Sequence, residues 1–181
     1  EMTKSVMVSG VGQRHIEITV ERLKRKFNLE VHLDDPQIPY RETIRGNAEG
    51  QGRYKKQTGG KGQFGDCWLK IAPKMRGEGF EFVNAIVGGA IPRGFIPAVE
   101  KGVTDSMVNG AYAGFPVVDI QVTCYDGSSH TVDSSEMAFK IAGSMAFKKI
   151  FIDAKPVLLE PIMNLHVVIP EDAVGDVVGD I

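Results

Sequence analysis

Two short stretches hold the side chains best suited to chemistry: Gln57-Thr58-Gly59-Gly60-Lys61-Gly62-Gln63-Phe64-Gly65 and Ser129-His130-Thr131-Val132-Asp133. Glycines at 59, 60, 62 and 65 are expected to let the backbone take positive φ and come close to a nucleic-acid strand. Lys61, with Arg53, Lys55 and Lys56 upstream, can neutralise phosphates. Four such contacts on single-stranded RNA give a salt slope of about −3. Gln63 can donate and accept at a base edge or a 2′-hydroxyl, which suits the shallow minor groove of A-form RNA. His130 can stack on a base or ribose and donate a hydrogen bond.

Other chemistries fit these residues poorly. A phosphate-binding loop needs Ser or Thr after its lysine and an earlier glycine. Here Gly62 follows Lys61, and Lys55 and Lys56 stand where that glycine would fall. His130, Asp133 and Ser134 are triad residue types, but adjacency in sequence is not triad geometry. Asp133-Ser134-Ser135-Glu136 is expected to be a capping box with Asp133 as the cap, holding His130 on a helix start. His15 and Glu17 form no zinc motif, since no second His follows at helical spacing. His15 is expected at a helix start or an interface. His32 and His166 fall on polar strand faces. From local sequence alone, a solvated flexible hairpin around residues 57–65 stays an open alternative.

The elements that must carry these loops are legible in part. Val6-Met7-Val8 predicts a short strand before Gly10-Val11-Gly12. Ile16, Val20, Leu23 and Phe27 predict a helix ending near Asn28, and Leu29, Val31 and Leu33 a half-buried strand. Pro39 to Thr43 reads as a connection, and the stretch to Gly65 as Gly-rich and polar. Cys67, Leu69 and Ile71 predict a strand, as do Phe80 and Phe82 after a charged turn. Ile96, Val99, Val103 and Met107 predict a helix stopping at Asn109-Gly110. Val118 to Cys124 predicts the longest strand. Met137, Ile141 and Met145 predict the apolar stripe of a second long helix, with Ala138, Ala142 and Ala146 permitting close packing. Met163, Leu165, Val167 and Ile169 predict a last strand, and Val174, Val177, Val178 and Ile181 a last helix opened by Pro170 and acids.

Composition sets the bounds. The 181 residues are 43% apolar with a net charge of −2, so bulk charge does not mark a nucleic-acid binder. The basic stretch from Arg53 to Lys61 contains no acid, which fits contact with RNA through one end only. No run is apolar and long enough to span a membrane. Glu1-Met2-Thr3-Lys4 lacks the apolar core of a signal peptide. Cys67 and Cys124 lie among alternating apolar residues without metal spacing, so a reducing, cytoplasmic location is expected. The first 35 or so residues are too few to bury their own faces, so partner elements are expected upstream.

Six segments, in order, resemble the C-terminal half of elongation factor G. Gly10-Val11-Gly12-Gln13-Arg14-His15-Ile16-Glu17-Ile18 is similar to the helix opening of that family's third domain. Tyr40-Arg41-Glu42-Thr43-Ile44 resembles the passage into the fourth, and Gln57 to Gly65 its first tip loop. Ile91-Pro92 with Ile96-Pro97-Ala98-Val99 resembles the opening of its first long helix. His130-Thr131-Val132-Asp133-Ser134-Ser135-Glu136-Met137-Ala138-Phe139-Lys140 resembles the second tip loop and the helix after it. Lys155-Pro156-Val157-Leu158-Leu159-Glu160-Pro161-Ile162-Met163 resembles the exit into the fifth domain.

The resemblance implies an α+β fold with a central domain like the second domain of ribosomal protein S5, built on a four-stranded sheet with a left-handed βαβ crossover. Such crossovers are right-handed in about 98% of proteins, so pattern alone would not propose it. Partial ferredoxin-like domains would flank it: residues 1–38 as the second half of domain III, 39–159 as domain IV, 160–181 as the start of domain V. The implied function is tRNA–mRNA translocation, with Thr58, Gly59, Gly60, Lys61, Gly62, Gln63, Ser129, His130, Thr131, Val132 and Asp133 at the small-subunit decoding site. Arg53, Lys55 and Lys56 would support them. The implied partners are the ribosome, tRNA and mRNA, with no membrane, and the protein a cytoplasmic monomer. This stretch would itself be no enzyme and hold no cofactor or metal; GTP and magnesium would belong to an N-terminal GTPase domain. Two departures, Thr131 where Asp is usual and Gln13-Arg14 where Glu-Leu is commoner, resemble a paralogue acting in recycling or rescue.

Overall fold

In the computed structural model the described residues are 6–35, 37–57, 59–60, 62–164 and 166–180, with Asp172 described by its backbone alone. In chain order they form α1 (Gln13–Phe27), β1 (Arg41–Ile44), β2 (Ala48–Lys56), β3 (Gln63–Pro73) and β4 (Phe80–Asn84). Then come α2 (Ile96–Asn109), β5 (Ile120–Ser128), α3 (Glu136–Asp153), β6 (Pro156–Leu159) and α4 (Val174–Asp180).

Period-two alternation builds the central sheet. Cys67, Leu69 and Ile71 of β3 and Ile120, Val122 and Cys124 of β5 are fully buried, while their neighbours lie on the other face. The strand order is β2-β3-β5-β4, antiparallel except for the parallel β4–β5 edge. Helix α2 forms the crossover between those parallel strands. Its stripe of Ile96, Val99, Val103 and Met107 is buried as the spacing predicts, and Gly110 caps its end. Helix α3 lies against α2, β2 and β3.

Two departures from the sequence reading, at residues 48–56 and on α3, share one physical setting. Residues 48–56, read from sequence only as part of a Gly-rich, polar stretch, form the nine-residue strand β2. Its helix-facing positions include Gly50 and Gly52 rather than large apolar residues. A Cβ on Gly52 would overlap the carbonyl oxygen of Ala142, and one on Gly65 would lie 2.5 Å from that of Ala138. The backbones of β2, β3 and α3 therefore approach closely, and the missing side chains erase the apolar alternation that marks a strand. Helix α3 answers with Ala138, Ala142 and Ala146, all buried, next to Phe139, Phe147, Ile150 and Phe151. Each buried ring is worth about 1.5–3 kcal/mol. The expected stripe is the wrong one: Met137 and Met145 are 61% and 47% exposed. They line an open groove beside Gly102, Asp105 and Asn109 of α2 instead of facing the sheet.

β1, expected to be a connection, pairs antiparallel with β6, so the start and end of this body are tied together. Within β1, Glu42 is fully buried, and its carboxylate accepts the backbone N–H groups of Ala111, Tyr112, Ala113 and Phe115 at 2.6–3.0 Å. One acidic side chain thus orders the turn that follows α2.

Outside this body the described residues contain helices but no strand. Helix α1 ends at Asn28 in the left-handed conformation, as expected, and none of its residues is buried. Residues 6–8, 29–33 and the described part of 163–169 pair with no strand, against expectation. A strand needs a neighbour to complete its ladder, and the described residues supply none there. Leu165 and Ile181 lie outside the described residues. A 3-10 turn over Glu171–Ala173 leads into α4.

Candidate nucleic-acid interface

The β2–β3 hairpin and the loop between β5 and α3 are far apart in sequence and adjacent in space. Phe64 N–H donates to the Asp133 carbonyl at 2.8 Å, and Phe64 and Ser134 form a parallel bridge. Gly62 N–H donates to Asp133 Oδ1 at 3.1 Å. Asp133 therefore clasps the first loop with both its backbone and its side chain.

This corrects the expected capping box. The helix cap is Ser135, in extended conformation, whose Oγ accepts the Ala138 N–H at 3.2 Å. Asp133 lies two residues too early to reach the first turn, and Glu136 is the first helical residue. Ser134 has a different task, its Oγ accepting the His130 N–H at 2.8 Å while its own N–H donates to the His130 carbonyl. The loop is held by its own internal bonds rather than by the helix terminus.

His130 is 55% exposed along its side chain, and its Nδ1 accepts the N–H groups of Val132 and Asp133 at 3.3 and 3.2 Å. That leaves Nε2 as the protonated nitrogen. If the ring gains a second proton, Asp133 Oδ2 stands 3.5 Å from Nδ1 to pair with it. On the hairpin, Tyr54 Oη donates to Gln63 Oε1 at 3.1 Å. The Arg53 guanidinium sits 5.6 Å over the Phe64 ring, whose centroid is 6.3 Å from that of His130. Stacking of this kind leaves the guanidinium edge free to meet a phosphate.

The candidate residues fall into three groups. Gly59, Gly60, Gln63, Ser129, His130, Thr131 and Val132 are exposed at one end of the body, with Arg53, Lys55 and Lys56 exposed along the adjoining end of β2. Gly62 is buried and Asp133 half-buried, so these two are braces rather than contact groups. Thr58 and Lys61 lie outside the described residues. The expectation of positive φ through the glycines holds at Gly59 alone, with φ of 50°; Gly65 is instead a β3 residue under α3. Sequence reasoning missed Tyr54 and Phe64 as supports. Their only local signal was an aromatic ring set among cations and glycines.

Other chemistry finds little footing. Among the described residues no group of three or more His, Cys, Asp or Glu could hold a metal ion. No helix among them is long and apolar enough to cross a membrane. Burial pushes the Cys124 thiol up to about 12 and the Cys67 thiol further still, so both are poor nucleophiles.

The family model described as elongation factor G, domain IV, matches residues 36–155, and the one for elongation factor G, domain III, matches residues 1–35. The chain belongs to the elongation factor G family. A crystal structure of a protein from Thermus thermophilus is 44% identical, with a TM-score of 0.78 over 94% of this chain. The match covers 25% of that protein's own chain, so this elongation factor G chain spans about a quarter of it. The two tip loops, residues 59–63 and 129–133, both fall within the part matched to domain IV.

Proposed function

We propose that the paired loops are the probe by which this elongation factor G chain contacts tRNA and mRNA in the small-subunit decoding site of the ribosome, promoting translocation. The observation that carries this reading is the Asp133 clasp, which ties Gly62 and Phe64 of the hairpin to the loop that holds His130. A preorganised end loses little entropy on binding. Gln63 and His130 would meet the minor groove of the codon–anticodon duplex, where 2′-hydroxyls and ribose edges are displayed. Arg53, Lys55 and Lys56 would neutralise neighbouring phosphates. In this division of labour the arm blocks backward sliding of the RNA pair and performs no catalysis. GTP hydrolysis, with its magnesium ion, would belong to another domain of a longer cytoplasmic protein acting as a monomer.

The exposed Thr131, beside His130, favours a second reading, a paralogue acting in ribosome recycling or rescue. Replacing Gln63 and His130 by Ala in the full-length factor separates these possibilities. Translocation should slow while ribosome-stimulated GTP hydrolysis stays nearly unchanged. Equal loss of both activities counts against the probe; loss of subunit splitting with translocation absent from the start selects the paralogue.

A further inference from the structure

We propose that Tyr54 is a specificity-determining residue of the tip, one that fixes the hydrogen-bond polarity of Gln63 and so restricts the ligand to a surface lined by acceptors. This inference rests on the RNA-probe reading and adds the residue that sets what the probe accepts.

The register of the hairpin places Tyr54 opposite Gly65 and Lys56 opposite Gln63, so Tyr54 and Gln63 are diagonal neighbours on one face. Gly65 puts no side chain between them. The Tyr54 hydroxyl can therefore reach Gln63 and donate to Oε1 at 3.1 Å, leaving the Nε2 hydrogens for a ligand.

The second loop is arranged in the same sense. His130 Nδ1 is occupied by two backbone N–H groups, so Nε2 carries a hydrogen whether the ring is neutral or doubly protonated. Asp133 Oδ1 is occupied by Gly62 N–H. Gln63 Oε1, His130 Nδ1 and Asp133 Oδ1 thus each have an internal donor, and the free ends of Gln63 and His130 are both donors. An acceptor-rich edge, such as the ribose and base oxygens along the minor groove of paired RNA, complements such an end. A donor-rich surface does not.

The test uses this chain, isotopically labelled, titrated at low salt with a short self-complementary RNA duplex and followed by NMR. The variants are Tyr54→Phe, Gln63→Met and the double substitution. Tyr54→Phe should weaken duplex binding about 3- to 10-fold, the scale of one net hydrogen bond. In the Gln63→Met background it should change binding by less than about twofold, because the group it orients is gone. In the free chain, Tyr54→Phe should move the Gln63 side-chain carbonyl carbon and leave its Nε2 nearly still. Equal weakening in both backgrounds, or movement of Nε2 in place of the carbonyl, overturns the assignment. A wild-type chain whose tip resonances ignore the duplex overturns the RNA-probe reading instead, and the carbonyl shift still decides which way Gln63 is turned.

Discussion

Gly62 and Asp133 meet so closely that nothing larger than hydrogen fits between them: a Cβ on Gly62 would lie 2.8 Å from the Asp133 carboxylate carbon. The same carboxylate accepts the Gly62 N–H at 3.1 Å. Gly62→Ala should turn the carboxylate away and release the clasp, at a cost of about 1–2 kcal/mol in urea unfolding. Asp133→Ala should cost a similar amount and release the same bond. A double-mutant cycle checks this, because the two effects must fall well short of additive. Full additivity would mean that the pair does not act as one brace.

Glu42 accepts four backbone N–H groups from the turn after α2. Glu42→Gln turns an amide NH2 toward those donors and leaves some of them unpaired in a dry site. A loss of about 2–4 kcal/mol is expected in denaturant unfolding. Hydrogen exchange should show residues 111–115 losing protection first. A change within about 0.5 kcal/mol of wild type contradicts the assignment, since that is the range of surface substitutions.

Gly52 faces Ala142 and Ala146 where a Cβ would overlap backbone. Gly52→Ala must push β2 from α3, and an overpacking cost of about 1–3 kcal/mol or more follows. Arg53→Ala, one residue on and exposed, should stay within about 0.5 kcal/mol. Thermal melts of the two variants make the comparison. Similar melts for both would remove close helix–strand contact as the reason β2 carries glycines.

The two thiols give a pH prediction. Burial raises the Cys124 thiol from 9.0 to about 12, and raises Cys67 further. The native state keeps protons that the unfolded chain gives up near pH 9, so unfolding gains as pH rises. The stability these protonated thiols contribute is whole below about pH 9 and declines as pH climbs toward 12, by at most about 1.4 kcal/mol per pH unit for each thiol. A colorimetric thiol reagent at pH 8 should label neither cysteine in the folded chain and both in denaturant. Rapid labelling of the native chain would show that the strands around them open.

Much of this elongation factor G chain was legible without coordinates, because some information is carried by short-range periodicity. The stripe Ile96, Val99, Val103 and Met107 wrote α2, and alternation around Leu69 and Val122 wrote the two central strands. The residue types of both loops marked the candidate surface, and six ordered segments pointed to the family. Tertiary structure alone decided the rest. β2 is a strand because α3 lies against its glycines, and a glycine carries no periodic signal of what it touches. Asp133 braces the other loop instead of capping its own helix because its partner, Gly62, is 71 residues away. Glu42 serves a turn about as distant, and Gln63 takes its polarity from a strand neighbour set by register. Local sequence specifies which conformations are accessible nearby; a hydrogen bond between distant residues exists only once the chain has folded to bring donor and acceptor together.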